Sequence, residues 1–265
     1  MQSINVNKTW VDSLRWVMKN GREVGPRNLK TKEMPLVTVV DMNSPVLRVP
    51  DRNLGYKFMA AEAAWILEGR NDLATIKPYS KQIQNYSDDG IYFKGAYGPK
   101  IQDQLGWAVH KLRIDPKTRQ CVINIWRERP DLDKDIPCTL ALQFYFRGTD
   151  LEMHAFMRSS DLWLGWPYDV FNFSQIATRI LLHLIWFEPT WIKMGLGNLV
   201  IHSGSSHIYE LNFDRVKEIL EKDTMKELTM YKPKPTNNYW KTRNESGLDD
   251  HIEWLWKKAK SGGLR

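Results

Sequence analysis

The sequence predicts an α+β fold, and three features carry that prediction. Leu140 to Phe146 and Leu151 to Met157 both alternate apolar and polar residues, the period of a strand, and Gly148-Thr149-Asp150 between them is a hairpin signal. Phe173, Ile176, Ala177, Ile180, Leu181, Leu184 and Ile185 fall at i, i+3, i+4, i+7, i+8, i+11 and i+12, the spacing of one long core helix. Strands and helices do not alternate strictly along the chain, as they would in a parallel βαβ fold.

The elements follow in order. Trp10, Leu14, Val17 and Met18 have helical spacing and end at Asn20-Gly21, a stop signal. Gly21 to Thr31 is polar, basic and broken by Gly25-Pro26, so it reads as a loop. Pro35 to Val40 reads as a short buried strand, and Lys57 to Leu67 as a helix with Glu62 among alanines. Tyr79 to Gly98 is turn-rich, Gln104 to Leu112 suits a helix, and Cys121 to Trp126 suits a strand. Leu199 to Ile201 is a short strand, after which Ser203-Gly204-Ser205-Ser206 reads as a turn into a helix through Tyr209 and Phe213. From about residue 232 the chain is more polar, with a late helix at Asp249 to Lys260. No repeat divides the sequence, and a single domain over residues 1–265 is expected.

Composition excludes several classes. With 42% hydrophobic and 26% charged residues, the 265-residue chain has the apolar content of a folded protein and not of a disordered one. Two cysteines, Cys121 and Cys138, are too few for a disulfide framework or a four-thiolate zinc site; a bridge between them has no special support. No basic start leads into an apolar leader, and the apolar run near Ile180 to Phe187 is interrupted by His183 and too short to span a bilayer. A soluble, cytoplasmic protein with no membrane partner is the expectation. The net charge of +7 fits a nucleic acid or a small anion as partner, but basic residues are interspersed with acidic ones, as in Arg127-Glu128-Arg129, so charge alone decides little.

The chemistry concentrates between Pro137 and Asp169. A thiol, Cys138, precedes one alternating strand; Arg158-Ser159-Ser160-Asp161 follows the next; Leu164-Gly165-Trp166-Pro167-Tyr168-Asp169 leads into the core helix. A cationic neighbour stabilises a thiolate, the nucleophilic form of cysteine, and an arginine can also hold a phosphate by paired hydrogen bonds. Cys121, inside an apolar run, reads as core.

These blocks resemble the thymidylate synthase family: Pro137-Cys138, Gln143-Phe144-Tyr145, Arg158-Ser159-x-Asp161-x-x-Leu164-Gly165-x-Pro167, and His207-x-Tyr209. Glu62 with Trp65 and Leu67 resembles the family's catalytic glutamate helix, and the similarity keeps its order from about Trp10 to Leu220. The resemblance implies a mixed or antiparallel sheet packed with a long core helix, a sheet face forming a dimer interface, and 5,10-methylenetetrahydrofolate as co-substrate with no metal. It implies one-carbon transfer to C5 of a pyrimidine nucleoside monophosphate. Cys138 would add to C6 of the base, making C5 nucleophilic, and Glu62 would organise water and protons. Tyr97 would lie near the proton leaving C5. Arg27, Arg158 and Ser159 would bind phosphate, Gln143 the nucleotide, and His207 and Tyr209 a sugar hydroxyl. Asp161, Leu164, Gly165 and Tyr86 would meet the folate. Arg119 would reach phosphate in the neighbouring subunit of a homodimer, although the second arginine of that pair is Gln120 here.

Asp169 stands where synthases acting on dUMP usually carry Asn, and the family's deoxycytidylate hydroxymethylases share Asp there. A carboxyl suits the N4 amino group and N3 of cytosine. The alternative role is a helix cap, for which Asp is favoured. Gln82-Ile83-Gln84-Asn85-Tyr86 lacks the tryptophans that synthases place before the catalytic tyrosine, and Ser261 to Arg265 lacks their hydrophobic closing tail. Both departures fit water, not hydride, finishing the reaction. The resemblance thus implies a cytidylate 5-hydroxymethylase with dCMP favoured, in the host cytoplasm if viral. A thymidylate synthase or dUMP 5-hydroxymethylase that tolerates Asp169 stands beside it. A non-catalytic nucleic-acid-binding relative is disfavoured by the intact Cys138, Glu62, Arg158 and His207. No folate-binding lysine can be carried over into Asp41 to Asn53.

Overall fold

A seven-stranded mixed sheet organises the chain, with strand order β1-β2-β7-β5-β4-β3 and β6 paired to β7 off that path. The computed structural model describes residues 4–127, 134–222 and 247–264. The strands are β1 (Arg22–Val24), β2 (Thr31–Asp41), β3 (Val122–Asn124), β4 (Thr139–Arg147), β5 (Asp150–Met157), β6 (Ser160–Asp161) and β7 (Gly195–Tyr209). The expected hairpin is β4–β5, closed at Arg147↔Asp150, and Gly148 takes φ 64°, the left-handed region its missing Cβ permits. β5 and β6 run parallel to β7; the other pairings are antiparallel.

Helices cover one face of the sheet. α5 (Trp166–Phe187) is the predicted core helix, extended at both ends; α1 (Val6–Asn20) packs beside it over β2. Phe144, Phe146, Met153, Ala155, Leu199 and Ile201 face these helices and are fully buried. α5 is long and apolar enough to cross a membrane, but its residues are the core of the protein. Behind it lie α2 (Tyr56–Leu67), the short α3 (Leu73–Ile76), α4 (Tyr97–Ile114) and, after α6 (Phe213–Glu221), which packs against α1, the last helix α7 (Gly247–Ser261). The opposite face carries Val37, Tyr145, His154, Phe156 and His202, and no helix packs on it among the described residues.

Three sequence expectations change. The Ser203–Ser206 stretch is not a turn: β7 runs through it for 15 residues. Pro35, which has no N–H to give the ladder, sits opposite it at the irregularity where the pairing jumps from Met34↔Ser206 to Leu36↔Ser203. Gly204 lets this part of β7 approach β5, since a Cβ there would lie 3.2 Å from the Arg158 carbonyl oxygen. Arg22–Val24, expected as loop, pairs with β2, and α4 starts at Tyr97, inside the segment read as loop. The expected late helix forms as α7 and packs on the core: Leu255 and Ala259 are fully buried against α2 and α5, and Trp256 Nε1 donates to Glu68 at 2.7 Å. Leu264, in the closing segment, is buried too. Residues 232–246 lie outside the described residues.

Candidate active site

Cys138 ends the approach to β4, and Arg158 leaves β5 beside it, because the hairpin returns the chain to its starting edge. The Arg158 backbone N–H donates to the Cys138 carbonyl at 2.9 Å. Its guanidinium donates to the carbonyls of Pro137 and Ile136, both at 3.0 Å, and to Ser159 Oγ at 3.1 Å. A guanidinium has five N–H donors, so two stay available for an anion. Ser159 Oγ donates to Cys138 Sγ at 3.6 Å. The cation does not make the free thiol acidic: burial raises the Cys138 pKa, Arg158 and Ser159 oppose it, and Asp169 and Asp161 add to the rise. The expected thiolate stabilisation by Arg158 is present but outweighed by desolvation.

The sugar-and-phosphate candidates adjoin this edge. β6 sets Asp161 opposite His207 on β7. The His207 and Tyr209 rings meet edge to face at 5.1 Å, and Arg27 Nη2 donates to the Tyr209 hydroxyl at 3.1 Å. Arg27 and Asn28 hold φ of 54° and 61°, left-handed values that are strained for residues with side chains. Asp161 Oδ1 accepts from the N–H groups of Trp163 and Leu164 at 2.8 and 2.9 Å, which fixes the turn before α5 and leaves Leu164 exposed. Gly165 is the N-terminal cap position of α5.

Asp169 is therefore not the helix cap. It lies a turn inside α5, and its carboxyl has no hydrogen bond among the described residues. Burial, with Glu62 and Asp161 nearby, pushes its pKa up to about 8. Glu62 on α2 is pushed up to about 7 by burial, against which the hydrogen bond from Asn172 Nδ2 at 2.8 Å pulls down. Tyr97 starts α4; its hydroxyl accepts from Thr139 Oγ1 at 2.9 Å, and burial, Asp169 and Cys138 raise its pKa. Gly95 permits that approach: a Cβ there would lie 2.6 Å from the Asp135 carbonyl oxygen, just ahead of Cys138. One thiol and three acids thus act on one another at the junction of sheet and helices.

Other predicted residues lie apart from that cluster. Gln143 points to the uncovered sheet side, where its amide donates to the Arg119 carbonyl at 2.8 Å, and the Arg119 side chain is exposed. Tyr86 closes a short 3-10 turn, half exposed, with no hydrogen bond to the cluster. Two residues escaped the sequence reading. Arg52 donates to the Trp163 carbonyl at 2.8 Å and stacks on its ring at 4.9 Å, bracing the Asp161 turn. Asn172 was detectable as a polar residue three positions beyond Asp169 in an apolar helix.

Residues 8–246 match the family model for thymidylate synthase. The chain belongs to the thymidylate synthase family. It is similar to a deoxyuridylate hydroxymethyltransferase of Bacillus phage SP01, 30% identical over 223 residues. That match covers 76% of this chain and 56% of the phage protein, so the chain spans little more than half the length of that relative. A protein of Methanothermobacter marburgensis, assigned provisionally as a thymidylate synthase, is 26% identical over 225 residues, 80% of this chain and 93% of its own length. No group of three or more His, Cys, Asp or Glu suited to a metal occurs among the described residues.

Proposed function

We propose that the protein transfers a one-carbon unit from 5,10-methylenetetrahydrofolate to C5 of a cytidine monophosphate, with dCMP favoured. Addition of water yields the 5-hydroxymethyl nucleotide and tetrahydrofolate. Cys138 adds to C6 as the thiolate; phosphate held by Arg158, Ser159 and Arg27 aligns the base, and His207 and Tyr209 take a sugar hydroxyl. Glu62, with a pKa near neutrality, suits exchange of protons with water at the base. The folate supplies the carbon at the methylene oxidation level. The exposed Leu164 and the Asp161 turn braced by Arg52 offer it an apolar and hydrogen-bonding surface.

Asp169 carries the cytidylate reading. Held neutral near pH 7, its O–H donates toward cytosine N3, a base, and its second oxygen accepts from N4–H. Once N3 takes the proton, the carboxylate accepts from both groups. Uracil already carries hydrogen on N3 and offers only O4, a far weaker base, to that proton. The charge-assisted pair that cytosine forms by taking the proton is stronger than the neutral pair open to uracil by about 1–2 kcal/mol, or roughly tenfold in selectivity. Asp169→Asn should therefore move the ratio of kcat/KM for dCMP over dUMP toward dUMP by that factor. A wild type that prefers dUMP, or a ratio unmoved by the substitution, assigns the protein to dUMP. The name of the phage relative favours that second reading.

The bare sheet face supports a homodimer in which Arg119 acts in the neighbouring site. A hollow of about 400 Å³ there is lined by Pro35, Val37, Leu140, Phe156 and His202. Light scattering should give twice the chain mass of 31.1 kDa; a stable, active monomer refutes the dimer.

A further inference from the structure

The Glu62 carboxyl has one hydrogen-bonding side chain among the described residues, Asn172 of α5, whose Nδ2 donates to Glu62 Oε2 at 2.8 Å. Asn172 is itself buried, and its Oδ1 has no hydrogen-bond partner among the described residues. No other hydrogen bond of the side chain therefore ties the amide to one orientation. Turning it about the Cβ–Cγ bond exchanges a donor for an acceptor at the same place. A carboxylate needs a donor there, and a carboxylic acid that presents its O–H needs an acceptor.

We propose that Asn172 is a positioning residue whose amide follows the Glu62 proton, giving N–H to the carboxylate and accepting O–H from the acid through Oδ1. The base then keeps one hydrogen bond and one position through a catalytic cycle in which it gains and loses a proton. The inference rests on Glu62 as the base of the proposed reaction. The charged and titratable groups around the pair are Asp169 and Tyr168 on α5, both raised by the Glu62 charge, with Asp161 also raising Asp169, and Asp169 raising Tyr97 and Cys138 in turn.

Two readouts test it on the full chain. In protein labelled with carbon-13 at glutamate Cδ, with Glu62→Gln to assign the signal, Glu62 should titrate about one pH unit higher in Asn172→Leu than in wild type, because a hydrogen bond to the charged form is lost. Asn172→Ser, whose hydroxyl both donates and accepts, should restore part of the difference and serves if the leucine variant does not fold. In difference infrared spectra across the Glu62 titration, the Asn172 amide carbonyl band should shift as Glu62 takes its proton, and that feature should vanish in Asn172→Leu. An unmoved Glu62 titration, or an amide band indifferent to it, overturns the inference whatever the activity. A moved titration with an unmoved acidic limb of the pH–rate profile instead supports the pairing and removes Glu62 from the role of base, which is the failure of the proposed function.

Discussion

In the proposed site Cys138 comes from the sheet and Glu62 from the helices, and the two sides are held in different ways. On the sheet side, hydrogen bonds are nearly complete: Arg158 clamps two carbonyls and Ser159, and Ser159 reaches the thiol. On the helix side, among the described residues, Glu62 has one hydrogen-bond partner, Asp169 none, and Asn172 an unmatched oxygen. The first arrangement fixes geometry, because each donor has a set place. The second fixes protonation, because two carboxyls brought together away from water resist ionisation. A reaction that needs a placed nucleophile and a mobile proton is served by that division.

Deleting the proposed nucleophile is the change with the largest expected effect. Cys138→Ser keeps the shape of the sheet side but replaces a thiol by a much weaker nucleophile. Turnover should fall by about 10³-fold or more, while nucleotide binding, measured by calorimetry, changes little, since Arg158 keeps its carbonyl partners. Turnover at the wild-type rate would mean that the sheet side does not carry the chemistry. Cys121 offers no substitute: it is fully buried, bonded to the Ala108 carbonyl at 3.5 Å, and its pKa is pushed up to about 12.

The two sides also differed in how far the sequence disclosed them. The sheet side is written in contiguous blocks, and strand alternation plus one hairpin bring Pro137-Cys138 and Arg158-Ser159 to the same edge. The core helix was legible because its apolar face repeats over many turns. The helix side was legible residue by residue through Glu62 and Asp169, but not as an environment. The pairing of Glu62 with Asn172 joins positions 110 apart in the chain, and no local period reports such a contact. β7 was misread because Gly and Ser are ordinary turn formers, whereas Gly204 here lies in a strand, where a Cβ would come 3.2 Å from the Arg158 carbonyl oxygen. α7 was legible as a helix, but its packing on the core was not, because its fully buried stripe, Leu255 and Ala259, is narrow within a polar segment.

The smaller effect concerns stability, and it sharpens the claim about protonation. Glu62 and Asp169 have folded-state pKa values near 7 and 8, above their ordinary 4.5 and 3.8. The folded state then binds more protons than the unfolded chain, so their contribution is full below about pH 4 and is lost as pH rises through 7 to 8. Buried histidines act in the opposite sense below their ordinary value: His251 and His183 are lowered to about 3 and about 4, so they destabilise as pH falls below 6.5. These histidines, with His154 and His202, whose pKa burial also lowers, are shared with a variant lacking the two carboxyls, so the difference between the two proteins from about pH 6.5 to about pH 8 isolates the carboxyls. Unfolding by urea across that range should show wild type losing about 1–2 kcal/mol. The double variant Glu62→Gln with Asp169→Asn should lose much less over the same range, with the sheet side unaltered. Equal slopes for the two proteins would show that the carboxyls ionise as freely as in solvent, and the contrast between a placed side and a protonated side would not stand.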